Sequence, residues 1–240
     1  MATFWVNRLI TMNKVFAIIP GYNEEDTISD VVKKTSPYVD RTIVVNDGSK
    51  DNTGCEAYQA GADVIYHLQN RGKGHAMLTG IVYALAMGAD IIVLLDADEQ
   101  HDPSDIDSFV EMIDRGKAEM VFGCRRFNKK MPMLFRVGNL GLNAMFWLLH
   151  MKRIDDILCG YKAFKRETFN KIKWTSNGYT VEIEMAANAL TNGVKFKQKK
   201  IKTKYLDATK GTSIKDGLMI GKFILRNKIK NVTAKFYRNR

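Results

Sequence analysis

Apolar residues in the first half of the chain fall into short unbroken runs, separated by stretches in which they recur every three or four positions. Residues 14–20 (KVFAIIP), 41–46 (RTIVVN), 64–67 and 90–95 (DIIVLL) have the length and β-branched content of buried strands. Between them, residues 23–35, 53–60 and 75–88 carry helical spacing. This βαβαβαβ rhythm predicts an α/β fold, a Rossmann-like, mostly parallel sheet with helices on both faces. Right-handed crossovers then bring the loops that follow the strands to one edge, where open α/β sheets bind ligands.

Past Pro103 the pattern is less regular. Residues 105–115 and 180–192 read as helices, and 119–122 and 195–204 (KFKQKKIKTK) as strands. Residues 131–151 (MPMLFRVGNLGLNAMFWLLHM) form a long apolar stretch, expected either as core or as a pair of helices lying at a membrane interface. From Ile214 onward, Ile214, Leu218, Leu225, Ile229, Val232 and Phe236 recur near helical spacing with basic residues between them. The expected layout is a catalytic α/β domain over 1–213, with 1–12 a flexible extension, and a basic amphipathic helix over 214–240.

Composition narrows the class. Of 240 residues, 45% are apolar and 26% charged, which suits a globular chain and excludes a disordered one. No run of about 18 apolar residues predicts a membrane-spanning helix. Cys55, Cys124 and Cys159 form no C-x-x-C pair, so neither zinc nor a disulfide framework is expected, and a cytoplasmic compartment fits. The net charge of +11 is concentrated in one place: residues 195–240 hold 15 Lys or Arg and two acids, leaving the rest near neutrality. Such a tail suits an anionic membrane surface or simple solvation.

Polar residues gather after each of the four early strands. They are Pro20-Gly21-Tyr22-Asn23-Glu24-Glu25, Asn46-Asp47-Gly48-Ser49, Asn70-Arg71-Gly72-Lys73-Gly74 and Asp96-Ala97-Asp98-Glu99-Gln100-His101-Asp102-Pro103. In an extended segment Asp96, Asp98 and Gln100 share a side, so their oxygens suit one hard cation, Mg²⁺ or Mn²⁺. A lone D-x-D reads first as a solvated acidic turn; its place after DIIVLL beside three other polar loops reverses that and favours the cation. Asp47 and Glu24 offer acceptors to a base or ribose and Tyr22 a ring to stack on. The Arg71–Gly74 loop offers cations and amides to a diphosphate. It is neither G-x-x-x-x-G-K-[ST] nor G-x-G-x-x-G, so nucleotide hydrolysis and a dinucleotide cofactor lose support.

Together these four loops resemble the family-two glycosyltransferases of GT-A fold, and within them the dolichol-phosphate mannose synthase and polyprenyl-phosphate glycosyltransferase group. The likeness runs from about residue 15 to 223. It implies that Pro20, Tyr22, Glu24 and Asp47 hold the nucleoside, that Lys73 and Ala97 line the donor site, and that Asp96, Asp98 and Gln100 hold the metal and diphosphate, with Asp98 catalytic. Gly123-Cys124-Arg125 is similar to the family's G-S-R, so Arg125, with Arg136, is implied to meet an acceptor phosphate. Asp156–Tyr161 resembles D-x-x-S-G-F, and Gly178-Tyr179 with Glu184 resembles G-Y-x-F-x-x-E. Where the family has R-x-Y-G-x-S-K, Ala208 and Ile214 replace the basic ends, and Lys210 and Lys215 are the neighbouring cations.

The resemblance therefore implies inverting, metal-dependent transfer of a hexose from a GDP-mannose or UDP-glucose type of donor to a polyprenyl phosphate, at the cytoplasmic membrane face. A phosphate oxygen is already an anion and needs no general base, which leaves His101 a structural or metal-neighbour role. Neither nucleic acid nor an obligate protein partner is expected, since no nucleic-acid-binding motif accompanies the basic tail. A hydroxyl acceptor is the competing reading and would require a carboxylate base, Asp156 or Glu184. A sugar-1-phosphate nucleotidyltransferase would need a glycine-rich signature near the start, which is missing.

Overall fold

The computed structural model describes residues 13–125, 133–203 and 219–226, the side chains of 133–137 and 179 excepted. Seven strands form one sheet: β1 (Val15–Gly21), β2 (Arg41–Asn46), β3 (Asp63–Tyr66), β4 (Ile91–Leu94), β5 (Met120–Arg125), β6 (Lys162–Lys165) and β7 (Phe196–Ile201). Their order is β3-β2-β1-β4-β6-β5-β7. β6 runs antiparallel to both of its neighbours, and every other pairing is parallel. The helices that accompany it are α1 (Glu25–Thr35), α2 (Thr53–Gln59), α3 (Lys73–Ala86), α4 (Ile106–Asp114), α5 (Met133–His150), α6 (Phe169–Ile172) and α7 (Val181–Thr191).

Strand alternation feeds two cores. Phe16, Ile18, Ile43, Val45, Ile92 and Leu94 point to one face, against Met77 and Ile81 of α3, Phe146 of α5 and Ile183 of α7. Val15, Ala17, Ile19, Val44, Ile91 and Val93 point to the other, against Ile28 and Val32 of α1 and Phe109 and Ile113 of α4. A sheet covered on both sides has no polar face, which is why its strands read as unbroken apolar runs. α1 shows the helical counterpart: Ile28, Val31, Val32 and Thr35 are buried, with Glu25 and Asp26 in the first turn and Lys33 and Lys34 in the last, matching the helix dipole.

The expected alternation over the first 95 residues is present, and two later features differ. Residues 133–150 form one helix rather than a pair: no proline interrupts them, and the polar Asn139 and Asn143 are buried with their amides hydrogen-bonded. β6 (KAFK) was not expected: four residues flanked by lysines give no strand signal, yet Lys162 is only 1% exposed. Residues 219–226 are helical, designated α8, with Ile220 and Ile224 buried and Gly221 beside Met145 of α5. The extension 1–12, Lys210, Lys215 and most of 214–240 lie outside the described residues, as does the side chain of Arg136, whose backbone belongs to α5. No helix among the described residues is long and apolar enough to cross a membrane.

Phe109 is fully buried with its ring 4.8 Å from that of Tyr161, so Phe109→Ala is expected to cost about 3–5 kcal/mol in urea unfolding. Val82→Ala, on the exposed side of α3, is expected to stay within about 0.5 kcal/mol of wild type. Equal effects would contradict the assignment of the core.

Candidate active site

β1 lies between β2 and β4, so the chain leaves it in opposite directions and opens a crevice at the carboxyl ends of these strands. The loop after β4 begins with buried Leu95 and leads directly into Asp96. It is fixed at three points. Thr27 Oγ1 of α1 donates to the Ala97 carbonyl at 2.8 Å, Gln100 N donates to Asp98 Oδ1 at 3.1 Å, and Glu99 turns the chain with φ of 59°.

Asp96 is the electrostatic centre. Its Oδ1 lies 2.6 Å from Lys73 Nζ, and its Oδ2 lies 3.4 Å from His101 Nε2. Lys73 is also 2.7 Å from Glu182 Oε1. Burial opposes ionisation of Asp96, but Lys73 and His101 outweigh it and hold the carboxyl well below the usual range. Burial likewise opposes the charge on Lys73, and Asp96 and Glu182 overcome it, leaving the ammonium far more basic than an ordinary lysine. Asp98 moves the other way: burial, then the neighbouring charge of Asp96, push its carboxyl up. Gly160 closes the wall behind Asp96. A Cβ there would come within 2.3 Å of Asp96 Oδ2, so only glycine leaves the carboxylate its place.

This donor set fits a hard divalent ion. Two neighbouring carboxylates repel each other, and one cation relieves both; Gln100 is two residues from Asp98. Among the described residues no group of three or more His, Cys, Asp or Glu is placed to hold a metal ion.

Asp47, at the end of β2, is buried and shapes the adjoining loop. It accepts from Arg71 N at 3.0 Å, Gly72 N at 2.7 Å and His67 Nδ1 at 2.6 Å, while His67 Nε2 meets Thr79 Oγ1 at 2.9 Å. Gly72 has φ of 87°, a conformation glycine adopts without strain. Asn177 holds the same loop from the other side, accepting from Gly74 N at 2.9 Å and donating to the Arg71 carbonyl. Pro20 lies opposite Val45 one residue before the end of β1, and exposed Tyr22 and half-buried Glu24 follow at the crevice rim. Asn23 joins that rim to the β2 loop by accepting from Lys50 N and donating its own N–H to Ser49 Oγ.

On the far side of the crevice, Arg125 at the end of β5 forms a two-pronged pair with Asp156, Nε to Oδ2 at 2.7 Å and Nη2 to Oδ1 at 3.0 Å. Asp156 is 1% exposed and also accepts from Arg125 N and Asn139 Nδ2. Asn143, one turn along α5, donates to the Asp155 carbonyl and accepts from Ile157 N. Burial alone would raise the Asp156 carboxyl, but Arg125 lowers it below the ordinary value. Glu184 is equally committed, accepting from Thr175 N at 3.1 Å, Thr175 Oγ1 at 3.2 Å and Ser176 N at 2.8 Å.

The structure thus gathers Asp96, Ala97, Asp98 and Lys73 at one point, puts Tyr22, Glu24 and Asp47 on loops at the carboxyl ends of β1 and β2, and sets Arg125 on β5. His67, Asn139, Asn143, Lys162, Asn177 and Glu182 were not anticipated. The two asparagines one turn apart in an apolar helix were a usable signal; buried Lys162 gave none.

The comparisons agree with this architecture. The family model described as Glycosyl transferase family 2 matches residues 16–173. The chain belongs to glycosyl transferase family 2. A dolichyl-phosphate N-acetylglucosaminyltransferase using UDP-N-acetylglucosamine, from Methanococcus voltae, is 33% identical over 86% of this chain and 92% of its own length. The polyprenol monophosphomannose synthase of Mycolicibacterium smegmatis is 31% identical over 75% of this chain and 73% of its own. Glucosyl-3-phosphoglycerate synthase of Mycobacterium tuberculosis, solved with Mg²⁺ and UDP, superposes with a TM-score of 0.75 at 21% identity, covering 96% of this chain and 82% of that one. That likeness establishes the GT-A fold for this glycosyltransferase.

Asp156 sets a pH dependence of the enzyme's stability. Its folded carboxyl titrates lower than the unfolded one, so its contribution is complete above the ordinary carboxylate range and is lost as pH falls through the folded value. In Asp156→Asn this acid-side loss should be absent, and the urea midpoint at neutral pH should fall by the equivalent of about 3 kcal/mol. An unchanged acid limb would contradict the pairing.

Proposed function

We propose that this glycosyltransferase moves a hexose from a nucleotide sugar, of the GDP-mannose or UDP-glucose type, to a polyprenyl phosphate such as dolichyl phosphate, with inversion at the anomeric carbon. The observation that carries the reading is the commitment of Asp156 and Glu184, the two carboxylates a hydroxyl acceptor would have required as bases. Asp156 is taken up by Arg125 and Asn139, and Glu184 by the 175–176 backbone and the Thr175 hydroxyl. An acceptor that arrives already ionised needs neither. The names of the Methanococcus voltae and Mycolicibacterium smegmatis relatives, both transferases to polyprenyl-type phosphates, support the same acceptor.

In this reading Asp96, Asp98 and Gln100 hold Mg²⁺ or Mn²⁺, which supplies positive charge against the departing nucleoside diphosphate. Pro20, Tyr22 and Glu24 form the nucleoside rim. Asp47 acts from below: it takes up the Arg71 and Gly72 amides, as Asn177 takes up that of Gly74, and so fixes the Arg71–Gly74 loop with Lys73 toward the diphosphate. Ala97 lines the sugar side, and Lys210 and Lys215 add charge from the segment beyond β7. Arg125 and Arg136 take the acceptor phosphate. Asp156 fixes the orientation of the planar Arg125 guanidinium, which aligns the acceptor oxygen with the anomeric carbon.

Two surface features support attachment to the cytoplasmic face of a membrane. Leu140, Trp147 and Leu148 on α5 and Met151 just after it are exposed, as are Met219 and Leu225 on α8, offering apolar side chains to the acyl boundary. The 15 basic residues of 195–240 supply attraction to anionic lipid. The catalytic unit is then 1–213, with 131–151 and 214–240 as the lipid-facing parts. Acceptor, donor and membrane are the partners, and nucleic acid is not one.

Asp98→Ala should abolish transfer while leaving the circular dichroism spectrum unchanged; retained turnover would contradict the metal assignment. Arg125→Lys, which keeps a counter-charge for Asp156 but loses the planar fork, and Arg136→Ala should each raise the acceptor KM about tenfold or more while donor hydrolysis changes little. Equal losses in both reactions would contradict the acceptor role.

A further inference from the structure

Beneath the crevice, Lys73 is held between two carboxylates that belong to different elements. Asp96 follows β4 and is 25% exposed at its side chain, whereas Glu182, in the first turn of α7, is 3% exposed and lies behind the site. The two contacts are nearly equal, 2.6 Å and 2.7 Å. Asp96 also belongs to the oxygen set suited to a divalent ion, so one carboxylate is wanted by two cations. Glu182 has no such rival. Its Oε2 is buried without a hydrogen-bond partner among the described residues, and its negative charge is favoured at the positive end of α7.

We propose that Glu182 is a positioning residue that keeps hold of the Lys73 ammonium when a divalent ion claims Asp96, so that metal binding does not leave Lys73 without a counter-ion. The ammonium stands on the crevice side of Glu182, and a second acceptor oxygen is already waiting on the same carboxylate. The shift therefore needs no rearrangement of the backbone. Lys73 stays charged, anchored from behind, and faces the crevice where the donor diphosphate is bound. Lys162, buried nearby, feels the same carboxylate; its ammonium is destabilised by burial and by Lys73 and supported by Glu182. Glu182 thus keeps two buried lysines compatible with a site that must also admit a doubly charged ion.

This inference rests on the assignment of Asp96 and Asp98 to the metal, and its test is a double-mutant cycle read by Mn²⁺ binding alone. Free Mn²⁺ is followed by electron paramagnetic resonance, without donor or acceptor, in wild type, Glu182→Gln, Lys73→Met and the double variant, each checked for its melting temperature. In Glu182→Gln, Lys73 is left with Asp96 as its one close carboxylate and competes harder, so the Mn²⁺ dissociation constant should rise about tenfold. In the Lys73→Met background the same Glu182→Gln change should alter it by less than about twofold. An equal rise in both backgrounds would mean that Glu182 acts only as a distant charge, and no rise in wild type would mean that it does not hold Lys73; either overturns the proposal. Should Glu182→Gln fail to fold, Glu182→Asp, which keeps the charge but withdraws the oxygens, carries the same cycle. Asp98→Ala separates the two ideas. Wild-type binding that this variant leaves intact removes the metal assignment and this inference with it, whereas binding lost in Asp98→Ala but additive in the cycle removes the inference alone.

Discussion

Asp96 stands at the end of a strand buried on both faces, and a carboxylate there is stable only where positive charge meets it. Lys73 and His101 provide that charge within the chain, and Asp98, pushed toward its protonated form by burial and by Asp96, shows that the supply is incomplete for two carboxylates. Much of the surrounding structure serves this imbalance. Gly160 gives Asp96 room, Glu182 anchors Lys73, and Thr27 ties the loop to α1. A catalytic centre that must neutralise a departing diphosphate has its electrostatics set before any ligand arrives, which is what makes such interactions effective.

The sheet determines where this can happen. Because β1 sends the chain to β2 on one side and receives β4 on the other, the loops after these strands face each other across a crevice. The antiparallel β6 then inserts Lys162 and the preceding Asp156–Tyr161 segment between β4 and β5, bringing Gly160 against Asp96 and Asp156 against Arg125. One reversed strand thereby links the Asp96 and Arg125 sides of the crevice. Asn139 and Asn143 extend that link to α5, so the helix that exposes Leu140, Trp147 and Leu148 is hydrogen-bonded to the segment that pairs with Arg125.

Legibility from sequence followed physical lines. β1, β2 and β4 were plain because two-sided burial leaves continuous apolar runs, and the loops after them were plain because their residues are short-range turn and ligand chemistry. β6 was hidden, since a strand of four residues with a buried lysine at its start has no period to detect. α5 is one helix where a pair at a membrane interface was one of two readings; Asn139 and Asn143 are buried in it and bond to each other and to the 155–157 segment, which satisfies their amides within an apolar helix. Asp47 shows the remaining gap: its residue type marked it as functional, while only the fold reveals that its oxygens go to Arg71 N, Gly72 N and His67. Pairings such as Lys73 with Glu182, 109 positions apart, are invisible until the chain closes on itself.

Family membership makes the chain a glycosyltransferase, and the proposal that its acceptor arrives ionised rests on the commitment of Asp156 and Glu184. The most direct measurement offers the purified enzyme, with Mn²⁺ and a panel of radiolabelled nucleotide sugars, two lipids of identical chain length, a polyprenyl phosphate and the corresponding polyprenol. Label should enter the phosphate and not the alcohol. Comparable transfer to the alcohol would show that a base is at work in this crevice, and would contradict the account.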